Sequence, residues 1–138
     1  MKKLRVVICD NDEDELVYAR EGFEKSGFFE VMAALDSGRR LLQYLTGLSQ
    51  SELPNLVLSD LNMPGLNGYD VLERLKRNPE FSRLPVYISS TSTSVITIDK
   101  CKNLGAKDYL VKPPTLNKYD EFASVLYKKI QAENTYMN

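Results

Sequence analysis

Short apolar runs recur along the chain at Arg5 to Cys9, Glu30 to Ala34, Leu56 to Ser59, Val86 to Ser89 and Tyr109 to Val111. Leu56, Val57 and Leu58 are continuous rather than alternating, the pattern of a strand buried on both faces. Helical periodicity fills the intervals. The first helix is predicted from Asp12, where Glu15 stands three residues after a capping aspartate, through Leu16, Ala19 and Phe23 to Gly27. A second runs from Ser37 with Leu41, Leu42 and Leu45 inward; a third follows Gly68 with Val71, Leu72 and Leu75 inward and stops before Pro79. A fourth spans Ser94 to Leu104, with Val95, Ile98, Cys101 and Leu104 inward, and ends at Gly105. The last, Leu116 to Glu133, carries Tyr119, Phe122, Ala123, Leu126 and Ile130 on one stripe. Strand and helix thus alternate five times, which predicts an α/β domain with a parallel sheet covered by helices on both faces. One domain over residues 1–133 is expected, with 134–138 as a short flexible tail.

Composition narrows the picture. A chain of 138 residues buries about two thirds of its unfolded surface in a single core without disulfides or a structural metal. Lys and Arg number 18 against 19 Asp and Glu, so net charge gives no argument for nucleic acid or an anionic membrane. No apolar run approaches the ~20 residues of a membrane span, and the acidic residues after Cys9 come too early for a secretory signal. The expectation is a soluble, cytoplasmic protein. Cys9 and Cys101 are far apart and outside any CxxC spacing, so buried thiols are expected. There is no histidine, which excludes His-dependent nucleophile systems, His-ligated zinc and a phosphohistidine donor within these residues.

The remaining chemistry gathers at strand ends. In a parallel sheet the carboxyl ends of all strands meet at one edge, where open α/β sheets bind ligands. That edge would collect Asp10 and Asn11 after the first strand, Asp60 after the third, Ser90 and Thr91 after the fourth and Lys112 after the fifth. Clustered carboxylates repel unless a cation lies among them, and magnesium prefers hard oxygen ligands beside a phosphate. With an ammonium and a hydroxyl added, these are the groups of phosphoryl transfer, with Asp60 as the nucleophile that becomes an acyl phosphate.

Four motifs in order, "VVICDN", "LVLSDLNMPGLNG", "LPVYISS" and "GAKDYLVKPP", resemble those of response-regulator receiver domains of two-component signalling. The resemblance covers nearly the whole chain. It implies a flavodoxin-like (βα)5 fold with five parallel strands in the order 2-1-3-4-5. It also implies Asp60 as phosphoacceptor, Asp10 as a ligand of Mg2+ (or Mn2+), and Asn62 as a further ligand through its backbone carbonyl. Ser90 resembles the switch hydroxyl, Tyr109 the switch aromatic that turns inward with it, and Lys112 the phosphate-contacting lysine; Lys112–Pro113 is expected as a cis peptide. The implied partners are a sensor histidine kinase or histidine phosphotransfer protein, docked by the first helix and the loop after Pro113, and a downstream protein target. No nucleic acid and no membrane is expected; a homodimer linked to phosphorylation is a further expectation. The output surface would be the fourth strand and helix with the fifth strand and helix, in a stand-alone receiver that is not an enzyme.

Two positions depart from the family. Asn11 replaces a second acidic residue; its amide oxygen can ligate metal directly or through water but brings no charge, so weaker magnesium binding is expected. Thr91 is larger than the usual residue and would narrow access to Asp60, giving a long-lived phosphoryl group. Two other readings stay open at this level. Asn11 is compatible with a pseudo-receiver, the same fold used as an unphosphorylated binding module. "VVICDND" also fits a haloacid dehalogenase-type phosphatase with Asp10 as nucleophile and Asp12 as acid, although the stretch directly after Lys112, "PPTLNKY", contains no acidic pair.

Overall fold

The computed structural model describes residues 2–137, with side-chain surroundings through residue 134. Its elements alternate as β1 (Leu4–Cys9), α1 (Glu13–Lys25), β2 (Phe29–Leu35), α2 (Gly38–Thr46), β3 (Leu56–Asp60), α3 (Gly68–Arg77), β4 (Val86–Ser90), α4 (Val95–Asn103), β5 (Asp108–Val111) and α5 (Tyr119–Met137). The strands form one parallel sheet in the order β2-β1-β3-β4-β5, the predicted doubly wound arrangement.

Alternation along each strand divides the core in two. Val7, Cys9, Val57 and Ile88 point to one face, where they meet Leu41 and Leu45 of α2, Val71, Leu72 and Leu75 of α3 and Cys101 of α4. Val6, Ile8, Leu56 and Leu58 point to the other, against Ala19 and Phe23 of α1 and Ala123 and Leu126 of α5. Helix starts are fixed by side chains accepting from otherwise unpaired backbone N–H groups: Asp12 from Glu15 N, Ser37 from Arg40 N and Asn67 from Asp70 N. Between α1 and α5 the backbones come very close. A Cβ at Gly22 would lie 2.5 Å from Tyr119 Cβ, so only glycine permits that packing.

Three expectations are corrected. Leu116–Lys118 forms a 3-10 turn and α5 begins at Tyr119. That helix continues through Met137, past the expected helix end at Glu133; Asn138 lies outside the described residues. In α4, Cys101 is buried and Ile98 and Leu104 pack on the core, but Val95 is 69% exposed. The inward stripe therefore starts one turn later, because the first turn of α4 lies off the core; Ile96 beside it is 81% exposed. No helix among the described residues is long and apolar enough to cross a membrane.

Candidate phosphoacceptor site

Because β1, β3, β4 and β5 run parallel, their carboxyl ends deliver Asp10, Asp60, Ser90 and Lys112 to one edge, as predicted. Backbone hydrogen bonds hold the edge in register: Asp10 N donates to Leu35 O at 3.0 Å, Leu61 N to Ser89 O at 3.1 Å and Lys112 N to Ser90 O at 2.9 Å. Helix α3 starts directly behind the loop after β3. A Cβ at Gly68 would approach Asp60 O to 2.9 Å and Leu61 Cα to 2.8 Å, so a side chain there would push the Asp60 segment out of place.

The two carboxylates are buried, Asp10 4% and Asp60 5% exposed. Lys112 Nζ donates to Asp10 Oδ2 at 2.8 Å and stands 3.2 Å from Asp60 Oδ1. Asp12 N donates to the other Asp10 oxygen, Oδ1, at 2.9 Å. Asn11 reaches across the mouth, its carboxamide 3.2 Å from Asp60 Oδ2 and 3.0 Å from the Asn62 carbonyl oxygen. Ser90 is 1% exposed; its Oγ accepts from Asn62 Nδ2 at 3.4 Å and from Ser92 N at 3.3 Å. Thr91 is exposed beside it.

Several details differ from expectation. Tyr109 is buried, already turned inward, and its hydroxyl donates to Ser92 O at 2.7 Å. The expected cis peptide at Lys112–Pro113 is absent; the described peptide bonds are all trans. Asp12, the acid of the phosphatase alternative, caps α1 instead. The Asn62 side chain, Ser92 and Gly68 were not identified in the sequence. Nothing in residue type alone separates them from ordinary loop residues, and their roles follow from positions set by β3 and β4. Cys9 is the expected buried thiol: burial, then the charge of Asp10, push it up to about 12, and it donates to Met63 Sδ at 3.6 Å.

One ammonium shared between two carboxylates sets the electrostatics. Burial tends to discharge Lys112, but the hydrogen bond and charge of Asp10, with the charge of Asp60, outweigh it and raise its pKa. Asp60 goes up as well. Burial and the charge of Asp10 raise it by more than Lys112 and the backbone N–H of Asn62 lower it. The two shifts agree because the shorter contact of Lys112 is with Asp10, leaving Asp60 incompletely neutralised.

The donor set fits a hard divalent cation. Among the described residues no three His, Cys, Asp or Glu side chains cluster as a metal site. The oxygens available are instead two carboxylates, the Asn62 carbonyl and the Asn11 amide, a hard-oxygen set suited to magnesium or manganese.

Since folded Asp60 holds its proton more tightly than in the unfolded chain, its ionisation costs stability above its raised pKa and costs nothing below the ordinary carboxylate value. Asp60→Asn should therefore be more stable than the parent at pH 7. The advantage should shrink as pH falls through the raised pKa toward about 4. Urea denaturation of both proteins at the two pH values checks this; a difference that does not change with pH would contradict it.

Comparison with known proteins agrees with this geometry. The profile of the response regulator receiver domain matches residues 6–122. The two-component response regulator ARR6 of Arabidopsis thaliana is 35% identical over 105 residues, covering 70% of this chain and 56% of that protein. Rice ORR11 (Oryza sativa subsp. japonica) is 34% identical over 110 residues, covering 78% and 69%. The chain spans about half the length of the first curated relatives it matches. Among solved structures, the phosphorylated cyanobacterial phytochrome response regulator RcpA superposes with a TM-score of 0.78 at 23% identity, covering 91% of each chain. The chemotaxis protein CheY4 of Vibrio cholerae gives 0.74 at 22%, covering 95% of this chain and 98% of that one. The Mn2+-bound form of response regulator Rcp1 gives 0.74 at 24%, covering 89% and 91%. At these identities the structures speak for the fold, and the receiver profile speaks for the family. With its acidic pair, lysine and buried hydroxyl at the matching strand ends, this chain belongs to the response regulator receiver domain family of two-component signalling.

Proposed function

We infer that Asp60 accepts a phosphoryl group from a phosphohistidine on a partner protein and that the resulting charge resets the surface around β4, α4, β5 and α5. The observation that carries this reading is the Lys112 ammonium placed against both Asp10 and Asp60 at the sheet edge. An Asp60 oxygen attacks phosphorus, the P–N bond breaks, and its electron pair leaves with the imidazole of the donor. The donor lies outside these 138 residues, which contain no histidine. A sensor histidine kinase or a histidine phosphotransfer protein supplies it, docking on α1 and the loop after Pro113.

Asp10, Asp60, the Asn62 carbonyl and Asn11 would hold Mg2+ or Mn2+. When bound, the ion neutralises charge on the phosphoryl oxygens. Lys112 supplies a second positive charge, and the Ser90 hydroxyl, whose oxygen accepts in its present contacts, supplies an O–H donor. Those contacts suggest how the signal leaves the pocket. Ser92 is held at its N–H by Ser90 Oγ and at its carbonyl by the Tyr109 hydroxyl. A phosphoryl group that draws Ser90 toward itself releases the Ser92 N–H. The loop before α4 then shifts, and with it the exposed Val95 and Ile96 and Val111 on β5. The phosphoryl charge biases this change only by its different interaction with the two arrangements. Asn11 also suits a pseudo-receiver, since its amide satisfies Asp60 without a metal.

Intact-mass measurement after incubation with magnesium and acetyl phosphate separates the two readings. The parent should gain one phosphoryl group and Asp60→Asn none. An unchanged parent mass would favour the pseudo-receiver, and a gain that persists in Asp60→Asn would place the chemistry elsewhere. Followed over time, Thr91→Ala should lose its phosphoryl group several-fold faster than the parent, because Thr91 flanks Ser90 at the mouth of the pocket; equal lifetimes would remove the steric role.

A further inference from the structure

Asn11 stands at the one place in the pocket where a neutral side chain has replaced a charge. Its carboxamide faces two acceptors, the Asn62 carbonyl at 3.0 Å and Asp60 Oδ2 at 3.2 Å. With the amide nitrogen inward, Asn11 donates to both. That pairs the Asp60 oxygen that Lys112 does not meet, since the lysine lies against Oδ1. Asp10 has both of its oxygens engaged too, by Asp12 N and Lys112 Nζ. The two buried carboxylates are thus satisfied by the protein alone. No fully buried side-chain nitrogen or oxygen among the described residues lacks a partner.

With the amide oxygen inward, the same separations place three acceptors face to face. That arrangement is repulsive unless a cation lies among them. The spacing is also that of a coordination shell, because oxygens at adjacent corners of a magnesium octahedron with bonds of about 2.1 Å are about 3.0 Å apart. A carboxamide has nitrogen and oxygen in equivalent positions, so a half turn exchanges a donor for an acceptor without moving the rest of the residue. An aspartate offers acceptors in both positions and has no such choice.

We propose that Asn11 is a two-position amide switch: its nitrogen faces Asp60 and Asn62 while the pocket is free of metal, and its oxygen faces a divalent cation when one enters. This rests on the reading that the pocket takes magnesium. It goes further in that the missing charge is only part of the difference from a two-acid pocket. The metal must also displace two hydrogen bonds that the metal-free pocket makes to itself, so Asn11 both competes with the ion and ligates it. Asp60 Oδ2 is released from the amide only as the ion arrives, which ties exposure of the nucleophile to metal loading.

The side-chain amide protons of Asn11, assigned in the full chain by their loss in Asn11→Asp, report the switch directly in a magnesium chloride titration followed by 15N NMR. Without metal they should exchange slowly with water, as hydrogen-bonded amides do. On saturation they should shift and exchange rapidly, in step with the backbone signals of Asp10, Asp60 and Asn62. If those backbone signals move while the Asn11 side-chain signals keep their positions and exchange rates, the switch is overturned and the metal site stands. If magnesium moves neither, both the switch and the metal-dependent reading fail. The same titration should show Asn11→Asp binding magnesium about tenfold or more tightly, since an extra carboxylate replaces a competing donor. Equal affinities would also overturn the proposal.

Discussion

The ammonium of Lys112, shared between the carboxylates of Asp10 and Asp60, is the constraint on which the site depends. Two buried carboxylates at neighbouring strand ends repel, and each has lost most of its water. A lysine directly after β5 crosses the sheet edge to meet both, its own backbone fixed by the bond to Ser90 O. The compensation is unequal. Asp10 receives the shorter contact, while burial and the charge of Asp10 hold Asp60 above the usual carboxylate range despite Lys112 and the Asn62 N–H. A carboxylate that is ordered, incompletely neutralised and facing the pocket mouth is suited to attack phosphorus and to attract a cation.

The sheet makes this arrangement possible because its two faces are both dry. Side chains from β1 and β3 alternate into two separate cores, so a slip by one residue would exchange the side chains fitted against α2 and α3 with those fitted against α1 and α5. Register then places Asp10 and Asp60 at the edge rather than inside it. The close approaches at Gly22 and Gly68 set the helices at the distance this requires, and the second also supports the chain immediately after Asp60. From the pocket, Ser90 and Tyr109 lead through Ser92 to the start of α4. That helix is anchored near Cys101 and uncovered in its first turn, so the end nearest the pocket has the least packing to lose if it moves.

Much of this was legible in the sequence because period and position carry it. Continuous apolar runs marked the buried strands, and five alternations with helices fixed the parallel sheet that brings Asp10, Asp60, Ser90 and Lys112 together. Local signals did less well where tertiary context decides. Val95 has the spacing of a core residue, but the first turn of α4 lies off the core. The Lys112–Pro113 bond has no sequence feature that distinguishes cis from trans. Asn11 could be recognised as a lost charge, whereas its pairing with Asp60 Oδ2 and the Asn62 carbonyl depends on a loop geometry that residue types do not encode. Ser92 and the Asn62 side chain were missed for the same reason.

Lys112 compensates the acidic pair, and a double-mutant cycle measures that compensation most directly. Unfolding free energies of the parent, Asp10→Asn, Lys112→Met and the double variant, taken at pH 7, isolate the interaction of the two side chains. A favourable coupling of about 1–3 kcal/mol is expected for a hydrogen-bonded pair with this burial. Energies that simply add would show that the lysine does not hold the pocket together, and would contradict the account.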